Sequence, residues 1–198
     1  VQNGDEDCLA GQPVLLSEIR FTAPAEIPSY AEVETEYEQQ GYQPAAGTIA
    51  FQAEDPEHIV HKSDSTVSSY NDGDPMTVPK GTAHRRLNAM GGYSWRTGNQ
   101  EITYRFTVEK AGLYSIAFRA QQTWNEGSSS YRQIRIDGEV PFQELLEYAF
   151  PSDSNWYTRP LEDPQGNPYR FYLSEGEHTL TLSVKISQYV TQAYNKAQ

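Results

Sequence analysis

Apolar and polar residues alternate with a period of two through most of the chain. Ile102, Tyr104, Phe106 and Val108 interleave with Thr103, Arg105 and Thr107, which puts one apolar face on a half-buried strand. After Ala111-Gly112 the pattern resumes at Tyr114, Ile116 and Phe118, predicting a hairpin closed by a tight turn. Further strands are predicted at 132–137 before Gly138, at 169–173 before a Ser-Glu-Gly-Glu turn, and at 179–186. In the last of these Leu180, Leu182, Val184 and Ile186 share a face. Upstream, residues 48–54 open the series, and residues 14–21 read as one short strand. With no helical pattern interleaved, strands at this spacing indicate a sandwich or barrel.

One segment breaks the rule. Across 28–40, Tyr30, Val33 and Tyr37 fall on one stripe of an otherwise acidic surface, the pattern of a helix. Ser29 stands three residues before Glu32, the spacing of a capping box, and Gly41 is placed to end the helix. Pro44-Ala-Ala-Gly47 then reads as a linker. The chain divides accordingly into an N-terminal tail, strand and helical connector (1–47), a β-sandwich (48–186) and an exit segment (187–198). Segments 62–100, 121–131 and 148–168 read as long loops, which in compact domains carry function or lack order.

Composition agrees with strands and turns: 14 tyrosines, 14 glycines and 12 prolines against 2 methionines. The net charge of −12 opposes nucleic acid, since it repels phosphate and no basic cluster offsets it. No apolar run is long enough to span a membrane, and the first residues lack signal-peptide character. Cys8 is the only cysteine, so no internal disulfide staples the fold, and it reads as a free thiol in a tail. The common hydrolase, zinc-protease and nucleotide-binding motifs are missing. His58 and His61 beside Asp55 and Glu57 read as a polar loop. Tyr70-Asn-Asp-Gly-Asp74 reads as an Asx-rich turn ahead of a calcium loop.

Trp95, Trp124 and Trp156 all fall in segments without strand alternation. A sugar ring presents a flat C–H face and a rim of hydroxyls, so its recognition needs an aromatic plate beside polar side chains. These segments offer that mixture.

The order of these segments resembles the family 6 and family 35 carbohydrate-binding modules of the galactose-binding-like jelly roll. It is carried by Phe51-Gln-Ala-Glu-Asp, Gly-Gly-Tyr-Ser-Trp95, Ile102-Thr-Tyr-Arg-Phe-Thr-Val108, Ala111-Gly-Leu-Tyr, Ile134-Arg-Ile-Asp-Gly138 and Glu175-Gly-Glu-His-Thr-Leu. The resemblance implies an all-β jelly-roll β-sandwich with one short N-terminal helix, and noncatalytic binding of carbohydrate by an exported or cell-surface bacterial protein. It implies stacking by Trp124 and Trp156, with Trp95 and Tyr157 beside them and Asn125, Arg132 and Asn155 as hydroxyl partners. It also implies a structural calcium, held partly by an acidic pair whose matching positions are Gln52 and Glu54; the amide at Gln52 weakens that site. The modules close with an acidic strand that this chain lacks at its end. Residues 16–21 look like it, either as a permuted strand completing the sheet or, the preferred reading, as the last strand of a preceding module, with the helix as a connector to other domains. The alternative function is an interaction domain, without its own ligand, in a multidomain surface lipoprotein linked to sugar uptake. Charge favours a neutral or cationic sugar over a uronate.

Overall fold

The computed structural model describes residues 17–18, 20–21, 26–80, 87–123 and 127–186. The chain enters through helix α1 (Tyr30–Gln40), and eleven strands follow among the described residues: β1 (Ile59–Lys62), β2 (Ser69–Tyr70), β3 (Ala89–Met90), β4 (Glu101–Val108), β5 (Gly112–Tyr114), β6 (Ala117–Gln122), β7 (Ser130–Ile136), β8 (Tyr148–Phe150), β9 (Asp153–Pro160), β10 (Phe171–Leu173) and β11 (Gly176–Lys185). Strands β1-β4-β11-β7-β8 form one antiparallel sheet, and β10-β5, β6-β9 and β2-β3 form antiparallel pairs. The molecule is an all-β sandwich of the jelly-roll type.

The period-two pattern sets the register. Leu180 lies opposite Tyr104 and Leu182 opposite Ile102, so the apolar faces of β4 and β11 coincide. A one-residue slip would turn both faces to water. Their buried side chains join Ile134 of β7, and Phe171, Leu173, Phe142, Leu145 and Leu161 of the facing layer, in one apolar cluster. Fully burying each such side chain contributes about 1.5–3 kcal/mol.

Two expectations change here. The hairpin joining 102–108 to 114–118 does not form: β4 pairs with β1 and β11, while β5 pairs with β10. The chain crosses between layers at 109–111 because β5 is claimed on its other side by residues 43–45, where the Leu113 amide donates to the Gln43 carbonyl (2.9 Å) and the Ala45 amide to the Leu113 carbonyl (3.0 Å). Gly112 is required by that approach, since a Cβ there would lie 2.9 Å from the Ala45 Cα. Residues 48–54 are likewise not a strand; 48–58 is irregular and turn-containing, and the first strand begins at Ile59.

Helix α1 is where it was expected. Glu32 Oε2 accepts from both the amide and the hydroxyl of Ser29, each at 2.8 Å. Gly41 closes the helix with φ +68°, a left-handed conformation that favours glycine. The apolar stripe is docked rather than bare: Tyr30 packs on Phe142 (4.9 Å) and Tyr169 (4.6 Å), and Val33 is buried. Half of the 14–21 strand lies outside the described residues; of the rest, Ser17, Glu18, Arg20 and Phe21 show no strand pairing, and Phe21 is 94% exposed.

Strand β7 ends in the Asp137-Gly138 turn, both residues at positive φ, as a two-residue turn between Ile136 and Glu139 demands. Asp137 then reaches β11: Oδ1 accepts the Thr179 amide at 2.7 Å and Oδ2 faces His178 Nδ1 at 2.6 Å, while His178 Nε2 faces the Ser174 carbonyl at 2.9 Å. Both ring nitrogens point at acceptors, so the bound form is imidazolium. Burial lowers the His178 pKa, but its bonds to Asp137 and Ser174 outweigh that and raise it overall. A raised folded pKa stabilises fully below the unfolded value and fades as pH rises through the folded one. We therefore expect the Tm to fall as pH rises above the ordinary imidazole value of about 6.5, and Asp137→Asn to flatten that slope. An identical slope in the variant, followed by circular dichroism, would disprove the assignment.

Candidate functional site

The two layers do not close on each other along their whole length. Between them opens a cleft of about 1380 Å³. Its floor is the inner face of the five-stranded sheet, including Tyr104, Leu182 and Val184; its opposite wall is Phe118 of β6 with Trp156 and Thr158 of β9; its rim carries Tyr70, Tyr93, Trp95 and Arg96.

Trp95 is seated by the sequence around it. Gly91 and Gly92 both take positive φ, and a Cβ on Gly91 would lie 2.9 Å from the indole Cε3, so only glycine lets the backbone pass beside the ring. The indole N–H donates to the Gln100 carbonyl at 3.3 Å. Arg132 lies over the ring, 4.5 Å from its centroid, and donates to the Trp95 carbonyl at 3.0 Å. Burial pushes the Arg132 pKa down to about 10, which leaves the guanidinium charged at neutral pH. Trp95 also packs against the core cluster.

Trp156 is held differently. Its indole N–H donates to Asp72 Oδ2 at 3.1 Å. The same oxygen accepts the Thr77 hydroxyl in a very short bond. Buried Asn88 clamps Asp72 in turn, accepting its amide at 2.7 Å and donating to its carbonyl at 3.1 Å. Arg119 approaches the Trp156 ring at 5.8 Å and donates to the Met76 carbonyl. The 70–79 segment is thereby fastened to β9 along one side of the cleft. Its acidic residues accept from the chain's own donors, including the Met76 amide on Asp74 Oδ1 at 2.8 Å, which is an Asx-turn arrangement.

Of the residues expected to bind, Trp95, Arg132, Trp156 and Tyr157 line this single cleft. Trp156 is not on a loop as the sequence suggested; it sits on β9, whose Asp-Ser-Asn-Trp-Tyr-Thr-Arg-Pro run carries no apolar alternation because the strand borders the open cleft. Asn155 is exposed, its amide bound to Asp153 at 2.9 Å, and does not line the cleft. Trp124 and Asn125 lie outside the described residues. Tyr93, Tyr70, Arg96 and Arg119 were missed. Tyr93 follows Gly91-Gly92 and is 63% exposed with Arg96 at 3.7 Å over its ring; an aromatic beside paired glycines was the available signal.

Gln52 and Glu54 both reach the cleft. Among the described residues no three histidine, cysteine or acidic side chains converge, so the charged donor set that gives calcium its affinity is not assembled there. Ser174, His178 and Asp137 have the outline of a nucleophile, base and orienting acid, with the Ser174 hydroxyl 3.4 Å from His178 Nε2. Yet Nε2 is turned to a carbonyl, so no lone pair remains to take the serine proton.

No protein-family model and no curated protein matches the chain. Among solved structures it is similar to a Paenibacillus sp. cycloisomaltooligosaccharide glucanotransferase complexed with cycloisomaltoheptaose, at 19% identity and TM-score 0.45 over 79% of this chain and 21% of that one. It is also similar to a Podospora anserina GH26-CBM35 β-(1,4)-mannanase, at 14% identity and TM-score 0.42 over 71% of this chain and 28% of that one. A third is a family 35 carbohydrate binding module from an environmental isolate, at 13% identity and TM-score 0.37 over 62% of this chain and 78% of that one. The chain thus spans less than a third of the first two proteins. A family 35 module, the kind that the order of segments resembles, stands among the structures to which the chain is similar.

Proposed function

We propose that the chain is a noncatalytic carbohydrate-binding module of an exported or cell-surface bacterial protein, and that it takes a glycan in the cleft between the two layers. The observation that carries this reading is the convergence of Trp95, Trp156 and Tyr93 with Arg132, Thr158 and Gln122 on one open concavity. Aromatic plates beside polar groups are what sugar rings require. The cleft exceeds the roughly 300–1,000 Å³ of ordinary small-molecule sites, which suits several sugar units. The test is a glycan array on the purified protein, with hits checked by calorimetry; saturable binding to defined glycans is expected.

The second reading, an interaction domain without a ligand in a multidomain surface lipoprotein, is favoured by one fact: the indole N–H groups of the two described tryptophans, Trp95 and Trp156, already have acceptors within the chain. An array without hits from protein that melts cooperatively would select it.

Calcium at Glu54 and Gln52 is the finer reading. With one carboxylate its affinity falls at the weak end, with a Kd of about 1 mM. We expect EDTA to leave the Tm unchanged and about 10 mM CaCl2 to add about 1.4 kcal/mol. A Tm drop in EDTA alone would show a tight site instead.

A further inference from the structure

A second, smaller hollow lies in the seam where helix α1 meets the sandwich. It measures about 80 Å³ and shares only Leu113 with the lining of the cleft. A single water needs about 10–15 Å³, so the hollow has room for a group of several heavy atoms.

Its walls are tyrosine. Tyr30, Glu34, Tyr37 and Glu38 stand at i, i+4, i+7 and i+8 on one face of α1, and Tyr42 joins them from beyond Gly41. Tyr42 is fixed by stacking on Tyr172, with ring centroids 3.7 Å apart and 11° between the planes, and Tyr37 is tilted against it at 5.9 Å and 53°. Tyr30 is held by its hydroxyl, which accepts the Arg170 amide at 3.0 Å and donates to Glu34 at 3.4 Å. The rings are thus set around one space before any ligand arrives, which lowers the cost of binding.

The charge around this space is negative. Helix α1 carries Glu32, Glu34, Glu36 and Glu38 and no base. Tyr37 and Glu38 stand at its C-terminal end, the negative pole of the helix dipole, and no basic residue in the last turn offsets it. Burial pushes the Tyr37 phenol above its ordinary pKa; a bond from the Tyr172 backbone opposes the rise and the Glu36 carboxylate adds to it. The ring therefore stays a neutral, electron-rich plate at neutral pH. Arg170, the one cation in the described lining, is exposed and makes no ion pair among the described residues. Aromatic walls edged by carboxylates suit a weakly hydrated organic cation, whose charge the ring quadrupole attracts and whose methyl groups the rings cover. A hard metal ion would need six or so oxygen ligands, and the hollow offers two carboxylates.

We propose that the hollow between α1 and the sandwich binds a methylated ammonium head, of the kind choline carries, between Tyr37 and Tyr42 with Glu34 and Glu38 at its edge. The site is separate from the glycan cleft and does not depend on it.

The test is an NMR titration of the intact chain with choline chloride, the ionic strength held constant with NaCl. Saturable shifts in residues 30–42 with a Kd of about 1 mM are expected, a demand well below the per-atom ceiling for small ligands. The neutral counterpart 3,3-dimethyl-1-butanol, which has carbon where choline has nitrogen, should bind about tenfold more weakly. Tyr37→Leu and Tyr42→Leu should each weaken choline binding at least about fivefold, and Arg170→Gln should tighten it about twofold by removing a like charge. The Tm of each variant is the folding control, and the comparison of choline with the butanol needs no variant to fold. Phosphocholine separates the two sources of the head: binding as tight as that of choline points to an ester displayed on a surface, weaker binding to the free cation, and either keeps the site. No saturable shift by about 20 mM choline, equal binding of the butanol, or affinity unchanged in both tyrosine variants would overturn the inference. None of these results touches the carbohydrate reading, which the glycan array tests by itself.

Discussion

Phe142→Ala is expected to destabilise the protein by about 3–5 kcal/mol, a drop in Tm of about 6–20 °C for a chain of this length. Phe142 is wholly buried. Its ring meets Tyr30 at 4.9 Å, Tyr169 at 5.0 Å and Phe171 at 5.6 Å, so it joins helix α1 to the sandwich as well as filling the core. Neighbouring contacts repeat the attachment: the Gln143 amide donates to the Pro28 carbonyl at 2.8 Å, Glu144 accepts the Tyr30 amide at 3.0 Å, and the Arg170 amide donates to the Tyr30 hydroxyl at 3.0 Å. The variant should therefore speed amide exchange in 30–40 along with the sheet. Phe142→Leu, which keeps most of the volume, should lose clearly less. If the helix kept its protection while the sheet lost its own, it would be a separate unit and the account of its docking would be wrong.

What the sequence disclosed depends on whether a side chain faces the core. The strands at 102–108, 132–137 and 179–186 were legible because apolar residues facing the core alternate along each with polar ones on the other face. β9 and β8 were not, because β9 borders an open cleft and β8 spans three residues. Pairing was less legible than strand position. Ala111-Gly112 looks like a hairpin turn, but Gly112 is fixed by the approach of Ala45, residues distant in sequence. The capping box was local and could be read directly, whereas the docking of α1 rests on Phe142 and Tyr169, more than a hundred positions away. The candidate site follows the same division. The tryptophans could be nominated from residue type, but the tether of Trp156 to Asp72 spans 84 positions, and the cleft itself exists only once distant segments meet.

Trp156→Ala is expected to weaken glycan binding by about 2–3 kcal/mol, or some 30- to 150-fold, the loss typical of an aromatic at the centre of an interface. Trp156 is the better stacking residue of the two described tryptophans: Trp95 packs against the core and under Arg132, while Trp156 borders the cleft without joining the core cluster. It also fastens the 70–79 segment through Asp72, so alanine removes a plate and a tether together. Trp156→Phe separates them, because phenylalanine keeps an aromatic face and lacks the N–H. Loss of that hydrogen bond to a carboxylate costs about 1.5–3 kcal/mol of stability at most, and Asp72 retains the Thr77 hydroxyl. If stacking carries affinity, Phe should bind within about tenfold of the parent protein while its Tm falls. If position alone matters, Phe and Asp72→Ala should lose affinity as fully as Ala does. Calorimetry on the three variants, each melted first, decides between these. Unchanged affinity in Trp156→Ala would place the sugar elsewhere on the protein and leave the indole a purely structural part.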